Sequence, residues 1–229
     1  MRSQLTQGLA HLNHEMISMG SLIECAIEQA VAALFQKEMI LAESAISFDG
    51  EIDRKEKEIE TLCLRLLLQQ QPLAGDLRAI SSALKMITDM ERIGDQACDI
   101  AEIVLRLPKN LSLQRARHIE KMSKISVKMV KKAIDAFVAQ DHQLAHQVIE
   151  MDDQVDHLFL QVREELILII RENREDAEPA IDLLMIAKYF ERIGDHAVNL
   201  SEWVLFSLTG EHKDFSKEEQ YGLHCSGRG

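Results

Sequence analysis

A chain of 229 residues with 46% hydrophobic content can build one large domain or two small ones, each with its own buried core. Three prolines and ten glycines are too few turn formers for a β-sandwich or barrel, and with only 4% aromatic residues the composition fits long helices joined by few loops. The formal net charge of −12 argues against non-specific nucleic-acid binding, which needs clustered Lys and Arg, and suits a soluble protein or one that gathers cations.

From the N-terminus, Met1-Arg2-Ser3-Gln4 has no apolar signal-peptide core behind it. Helical periodicity runs over residues 3–36 and then 38–70, where Gly50 is a candidate kink; its repeat partner is Asp153, so a kink is not required. Gln71-Pro72 ends that helix and opens the next, over 74–107. There Ile80, Ala83, Ile87, Met90, Gly94, Ala97, Ala101 and Val104 recur at three- and four-residue steps, which is a bundle seam. Pro108-Lys109-Asn110 separates two halves, and helices follow at 112–139, 142–172 and 178–208. Glu178-Pro179 stands where Gln71-Pro72 stands in the first half. The apolar run Leu166–Ile170 falls far short of the ~18 residues of a membrane span, so none is expected. Residues 209–229 read as a polar, disordered tail. Cys25, Cys63, Cys98 and Cys225 are scattered without zinc spacing, which points to a reducing, cytoplasmic compartment.

The two halves are copies of each other. Glu91-Arg-Ile-Gly-Asp95 reappears as Glu191-Arg-Ile-Gly-Asp195, at an offset of 100. Upstream the offset is 103, with Leu41, Ala42, Ile46, Asp49 and Asp53 matching Leu144, Ala145, Ile149, Asp152 and Asp156. The slip falls in the turns, where insertions cost little. The expected fold is therefore all-α: two tandem three-helix bundles, residues 1–108 and 112–208, related by an internal pseudo-two-fold. Gly94 and Gly194 each cost a helix about 1 kcal/mol relative to Ala. Their shared place in the seam implies close helix approach.

Each half carries two acidic pairs spaced four apart, hence on one helix face. They are Asp49/Asp53 and Glu91/Asp95 in the first half, and Asp152/Asp156 and Glu191/Asp195 in the second. Cys98 and Glu102 continue the third helix's stripe. With 38 acidic residues, chance supplies other such pairs, among them Asp95/Asp99, Glu172/Asp176 and Glu178/Asp182, so only repeat-equivalent position gives the four their meaning. Like charges at this spacing destabilise a helix by ~0.2–0.5 kcal/mol per pair. Converging carboxylates are stable only when protonated, paired with Arg or Lys, or neutralised by a cation, and oxygen-only ligands suit hard or borderline ions. Arg92 and Arg192 are the nearest candidate partners within the motif; each points about 100° away from the preceding Glu, so contact with another helix is the alternative. Chemistry of other kinds finds no support. There is no Glu-x-x-His pair, no His-Glu-x-x-His, no phosphate loop and no Gly-x-Ser-x-Gly elbow. His196 has Gln96 as its repeat partner and reads as incidental.

The duplicated Glu-Arg-Ile-Gly-Asp motif with its downstream Glu, following Gln-Pro-Leu-Ala-Gly-Asp76-Leu77-Arg78, resembles the PhoU family over about residues 1–208. The resemblance implies a cytoplasmic, non-enzymatic adaptor. Such an adaptor represses the phosphate-starvation response by linking the phosphate-specific ABC transporter, through its ATPase component, to the regulon's sensor histidine kinase. It implies a homodimer that meets the membrane only through partners and does not bind nucleic acid. It also implies iron, zinc, manganese or magnesium, in multinuclear clusters in some members, at Asp49, Asp53, Glu91, Asp95, Asp152, Asp156, Glu191 and Asp195. The family often has Asn four residues beyond the motif's last Asp; Asn199 fits and Asp99 departs, and both are candidate additional ligands. Asp76-Leu77-Arg78 has Ile181-Asp182-Leu183 as its counterpart, without the Arg. Two other readings stand beside this one: a carboxylate-bridged metalloprotein of redox or storage role, and a metal-free helical adaptor.

Overall fold

The computed structural model describes residues 2–70, 72–108 and 117–211. Their helices are α1 (Arg2–Gln36), α2 (Met39–Ser47), α3 (Asp49–Gln70), α4 (Ala74–Arg106), α5 (Arg117–Ala139), α6 (His142–Glu172) and α7 (Ala177–Thr209), with a 3-10 turn at Arg174–Asp176 before α7. No strand occurs among the described residues. The start of the expected fourth helix, 112–116, and the expected tail from 212 onward lie outside them.

One expected helix is broken. Residues 38–70 divide at Phe48, whose N–H turns back to the Ala45 carbonyl at 3.2 Å while its own carbonyl accepts from Glu51 and Ile52. The chain tightens for one residue and resumes. Gly50 is not the cause of any close approach, since a Cβ there would meet nothing within 4 Å. The equivalent stretch of the second half runs unbroken as α6. The first helices of the two repeats end alike. Lys37 (φ 60°) and Gln140 (φ 53°) close α1 and α5 in the left-handed region, 103 residues apart as the repeat requires. Asp141 then caps α6 by accepting from the N–H groups of Gln143 and Leu144 at 2.8 and 3.0 Å. Gly210 (φ 77°) closes α7, where positive φ suits glycine.

The first repeat packs α1, the α2–α3 arm and α4 together; the second packs α5, α6 and α7. The most extensive pairing joins the repeats, α4 against α7. These two run antiparallel, with Arg78 Nε donating to the Ser207 carbonyl at 3.3 Å near one end. Met86, Met90, Ile93 and Ala97 of α4, and Ile186, Phe190, Ile193 and Ala197 of α7, are buried in one continuous core. Each large side chain so enclosed contributes ~1.5–3 kcal/mol. α1 is long and apolar enough, by length and composition, to cross a bilayer. In this fold that apolarity goes to the core, through Leu12, Met16, Met19, Ile23 and Ile27, while Glu15 on the same helix pairs with Lys55 of α3 at 2.8 Å.

Candidate cation-binding carboxylates

The carboxylates are placed by the glycine seam. In the first repeat α3 approaches α4 so closely that a Cβ on Gly94 would lie 2.9 Å from Ile52 Cδ1. Ile52 fills that notch and is 1% exposed. The acidic residues flanking the notch, Asp49 and Asp53 on α3 and Glu91 and Asp95 on α4, are thereby brought to one edge. Their mutual field shows in their titration. Burial raises Asp49 above the usual carboxylate range, and the charges of Asp53, Asp95, Asp99 and Glu102 raise it further. Burial and then Asp95 raise Glu91, with Arg92 opposing and Glu56 and Asp53 adding. Glu56 is raised by burial, Glu60 and Asp53. Cys98, set among Asp49, Glu102, Asp99 and Asp95, is pushed up to about 11, chiefly by burial.

Arg92 makes its ion pairs on its own helix, while its charge also acts to lower Glu56 of α3. It lies along α4, with its guanidinium 3.0 Å from Asp95, one turn on at i, i+3, and 3.4 Å from the adjacent Glu91. Its side chain is 55% exposed, so it offsets little of the repulsion. Lys57 lies 3.9 Å from Asp53 with both groups exposed.

The second repeat is built differently at the same notch. Val155 replaces Ile52, and the Asp152 carboxylate uses the space: a Cβ on Gly194 would meet Asp152 Oδ1 at 3.0 Å and Val155 Cγ1 at 3.6 Å. Asp152 is 5% exposed and Glu202 is buried, whereas Asp156 is half-buried and Asp195 exposed. Glu191 pairs with Lys188 one turn before it. In the first repeat the four carboxylates thus feel one another's charge, whereas in the second Asp152 is enclosed and Asp195 faces solvent. Among the described residues no three His, Cys, Asp or Glu side chains converge on a single point. The donor set, all oxygen, partly desolvated and self-repelling, fits a hard cation, which would neutralise it.

Asn199 and Asp99 line the α4–α7 seam. Asn199 Nδ2 donates to Asp89 Oδ1 at 3.1 Å, and His196 Nδ1 meets the same oxygen at 2.8 Å. Tyr189 is raised by burial, by the Asp99 charge and by a hydrogen bond to Asp99. Position 89 thus meets 199, and position 189 meets 99, as a two-fold demands. Asp99 also remains within the field felt by Asp49.

The PhoU domain family matches residues 16–104 and 119–204, one match in each repeat. The chain belongs to the PhoU family. Among its PhoU relatives, the "Phosphate-specific transport system accessory protein PhoU homolog" of Clostridium acetobutylicum is 35% identical over 91% of this chain and 95% of its own. The protein of the same description from Aquifex aeolicus is 38% identical over 82% and 86%. The crystal structure of PhoU from Pseudomonas aeruginosa superposes with a TM-score of 0.85 at 31% identity, covering 90% of this chain and 99% of its own. The phosphate transport system regulatory protein PhoU from Streptococcus pneumoniae gives 0.84 at 28% identity, covering 92% and 99%. For a PhoU chain the seam residues Asp89, Tyr189 and His196, and Glu56 beside the acidic pairs, were not among the site residues read from sequence. Glu56 had a signal, lying seven residues beyond Asp49 on the same helix face. Asp89 had none in its own repeat, since its partners belong to the other.

Proposed function

We propose that this protein is a cytoplasmic, metal-binding regulatory adaptor that restrains phosphate uptake and represses the phosphate-starvation response. On this reading it links a phosphate-specific ABC transporter, through the ATPase component, to a sensor histidine kinase. The relatives' description as accessory proteins of the phosphate-specific transport system supports the setting. The observation that supports the metal is the carboxylate face of the first repeat, where burial and then the neighbouring charges lift Asp49 and Glu91, with its acidic positions repeated in the second half. Asp49, Asp53, Glu91 and Asp95 would hold cations in the first repeat, and Asp152, Asp156, Glu191 and Asp195 in the second. The ion supplies charge neutralisation that stiffens the α3–α4 and α6–α7 edges; no catalysis is assigned to it. Deleting the gene should release a phosphate-regulon reporter at high phosphate, and unchanged repression would overturn the regulatory reading. Elemental analysis of native protein, beside a variant with Glu91, Asp95, Glu191 and Asp195 all changed to Ala, tests the site: metal retained by the variant refutes it. The metal-free adaptor is the second reading, favoured by the lack of a three-ligand convergence among the described residues. Metal-free native protein would select it.

A further inference from the structure

α6 opens with two histidines that lie outside the carboxylate faces. The Asp141 side chain fixes its first turn by accepting from the N–H groups of Gln143 and Leu144. His142 and His146 follow four residues apart, on one face of the helix. Ala145 and Val148 beside them are buried in the core and hold the backbone, while His142 is exposed and His146 half-buried. The first repeat has Met39 and Glu43 at the equivalent positions, so the pair belongs to one copy alone.

The rings stand as two ligands of one ion would. Their centroids are 4.5 Å apart and their planes are inclined at 60°. A ligating lone pair lies in the plane of its ring, so stacked parallel rings cannot aim at one point, whereas inclined rings can. A zinc–nitrogen bond is about 2.0–2.1 Å, and the ring centre lies about 1.1 Å beyond it, so each centroid stands about 3.2 Å from the ion. Two such rings are about 4.5 Å apart when their bonds meet at a right angle, and about 5.2 Å apart at the tetrahedral angle. The observed separation falls at the lower of these, so rotation about the side-chain bonds suffices to close the site. Local charge also admits a cation. The helix N-terminus opposes one, but the Asp141 carboxylate sits there, and Glu150 continues the stripe one turn past His146. Lys132 is held on the neighbouring face by Gln147 at 2.8 Å. His11 and Glu15 of α1 have the same spacing, but Lys55 already binds Glu15 at 2.8 Å, so an ion there would have to break a salt bridge.

We infer that His142 and His146 form a chelate for a nitrogen-preferring divalent ion, of the class of zinc, nickel and copper, separate from the carboxylate faces. Imidazole suits these ions as carboxylate oxygen suits magnesium and manganese, so two kinds of metal are sorted between two places on one chain. Among the described residues no third His, Cys, Asp or Glu converges with the pair, so water completes the coordination and the ion exchanges readily. His-x-x-x-His on a helix is also the spacing of zinc hydrolases, where a Glu after the first His is the general base. Gln143 stands at that place and carries no base, so the site binds an ion without hydrolytic chemistry.

The inference goes beyond the regulatory reading and stands without metal at the carboxylates. Its test is zinc binding to the full-length chain, stripped of metal and kept reduced. Glu91, Asp95, Glu191 and Asp195 are changed to Ala in this background to remove competing carboxylates. Calorimetry should find zinc bound at micromolar concentration, and excess magnesium should not displace it. X-ray absorption at one equivalent should count two imidazoles around the zinc. His142→Ala and His146→Ala should each weaken binding at least about tenfold, and His11→Ala should leave it unchanged. Should the carboxylate background fail to fold, the imidazole count of wild-type protein at saturating zinc should still fall in His142→Ala. Affinity unchanged by both α6 variants, a zinc spectrum without imidazole scattering, or no binding below about 1 mM would each overturn the assignment.

Discussion

Replacing Gly94 by Ala tests whether helix proximity or helix propensity governs the seam. In an ordinary helix interior the change stabilises by about 1 kcal/mol. Here the new Cβ would sit 2.9 Å from Ile52 Cδ1 and 3.1 Å from Ile52 Cγ2. The Cδ1 methyl could swing, but Cγ2 is fixed on the branched carbon next to the α3 backbone, and Ile52 is 1% exposed with nowhere to go. Overpacking of this kind costs about 1–3 kcal/mol, so the net expectation is a loss of up to about 2 kcal/mol. Ile52→Val removes the nearer methyl and alone costs about 0.5–1.5 kcal/mol. In the double variant that cost should be largely cancelled, leaving it at least as stable as Gly94→Ala. Urea melts of the four proteins in chelator measure the coupling directly. Should Gly94→Ala raise the midpoint by the full propensity gain, α3 and α4 do not approach as described, and the placement of Asp49 and Asp95 at one edge loses its basis.

The other expectations are simpler. Asp49→Asn should stabilise metal-free protein by about 0.5 kcal/mol at pH 7 by removing like-charge contact, while reducing bound metal; a loss of stability without metal would contradict the clustering. Glu15 is held below its ordinary 4.5 by its hydrogen bond to Lys55, with burial opposing. The folded state therefore binds this proton more weakly than the unfolded one. The pair's contribution, about 1 kcal/mol, is complete above pH 4.5 and is lost as pH falls from there through the depressed value. Wild type and Glu15→Gln should differ in urea midpoint at pH 7, and the difference should shrink as pH falls below 4.5 and through the depressed value. Cys25 is exposed, whereas burial pushes Cys63 up to about 12, and burial with the surrounding carboxylates lifts Cys98 to about 11. Thiol reagents at pH 8 should label Cys25 well before Cys98 and Cys63. A divalent cation seated at the first repeat should then speed Cys98 alone, and an unchanged rate would place the ion elsewhere.

The helices, the duplication and the two seam glycines were legible because each leaves a periodic or repeated trace along one strand of text. Gly94 and Gly194 stood out as costly residues kept at one position twice, and close approach is what the structure shows at both. The break at Phe48 had no such trace. Met151, its counterpart, lies inside a continuous α6, so nothing local distinguishes a tightened turn from a straight helix there. The difference between the two acidic faces was equally hidden. It turns on one side chain, Val155 where the first repeat has Ile52, which opens room for the Asp152 carboxylate beside Gly194. Sequence equivalence of the acidic pairs therefore does not imply equivalent surroundings: one set is crowded and half-open, the other has its first aspartate enclosed.

The pairing across the α4–α7 seam follows from the repeat offset. Two antiparallel copies of one helix, offset by 100, must bring position p of the first copy against 288 − p of the second, as the pair of Asp89 and Asn199 fixes. Applied to Asp99, the same relation selects Tyr189, the residue whose hydroxyl Asp99 holds. Asp99 and Asn199 were considered as extra ligands because they extend the acidic stripe of their own helices. The two-fold also gives each of them a partner across the seam. Asp89→Ala should accordingly cost about 1–2 kcal/mol, since it strands the Asn199 amide and the His196 ring at once. Tyr189→Phe removes a single bond, should cost about 1 kcal/mol, and should add to Asp89→Ala without coupling, because the two contacts are about ten helical residues apart. A strong coupling between them in urea melts would mean that the repeats shift as rigid bodies about the seam rather than yielding at each contact separately.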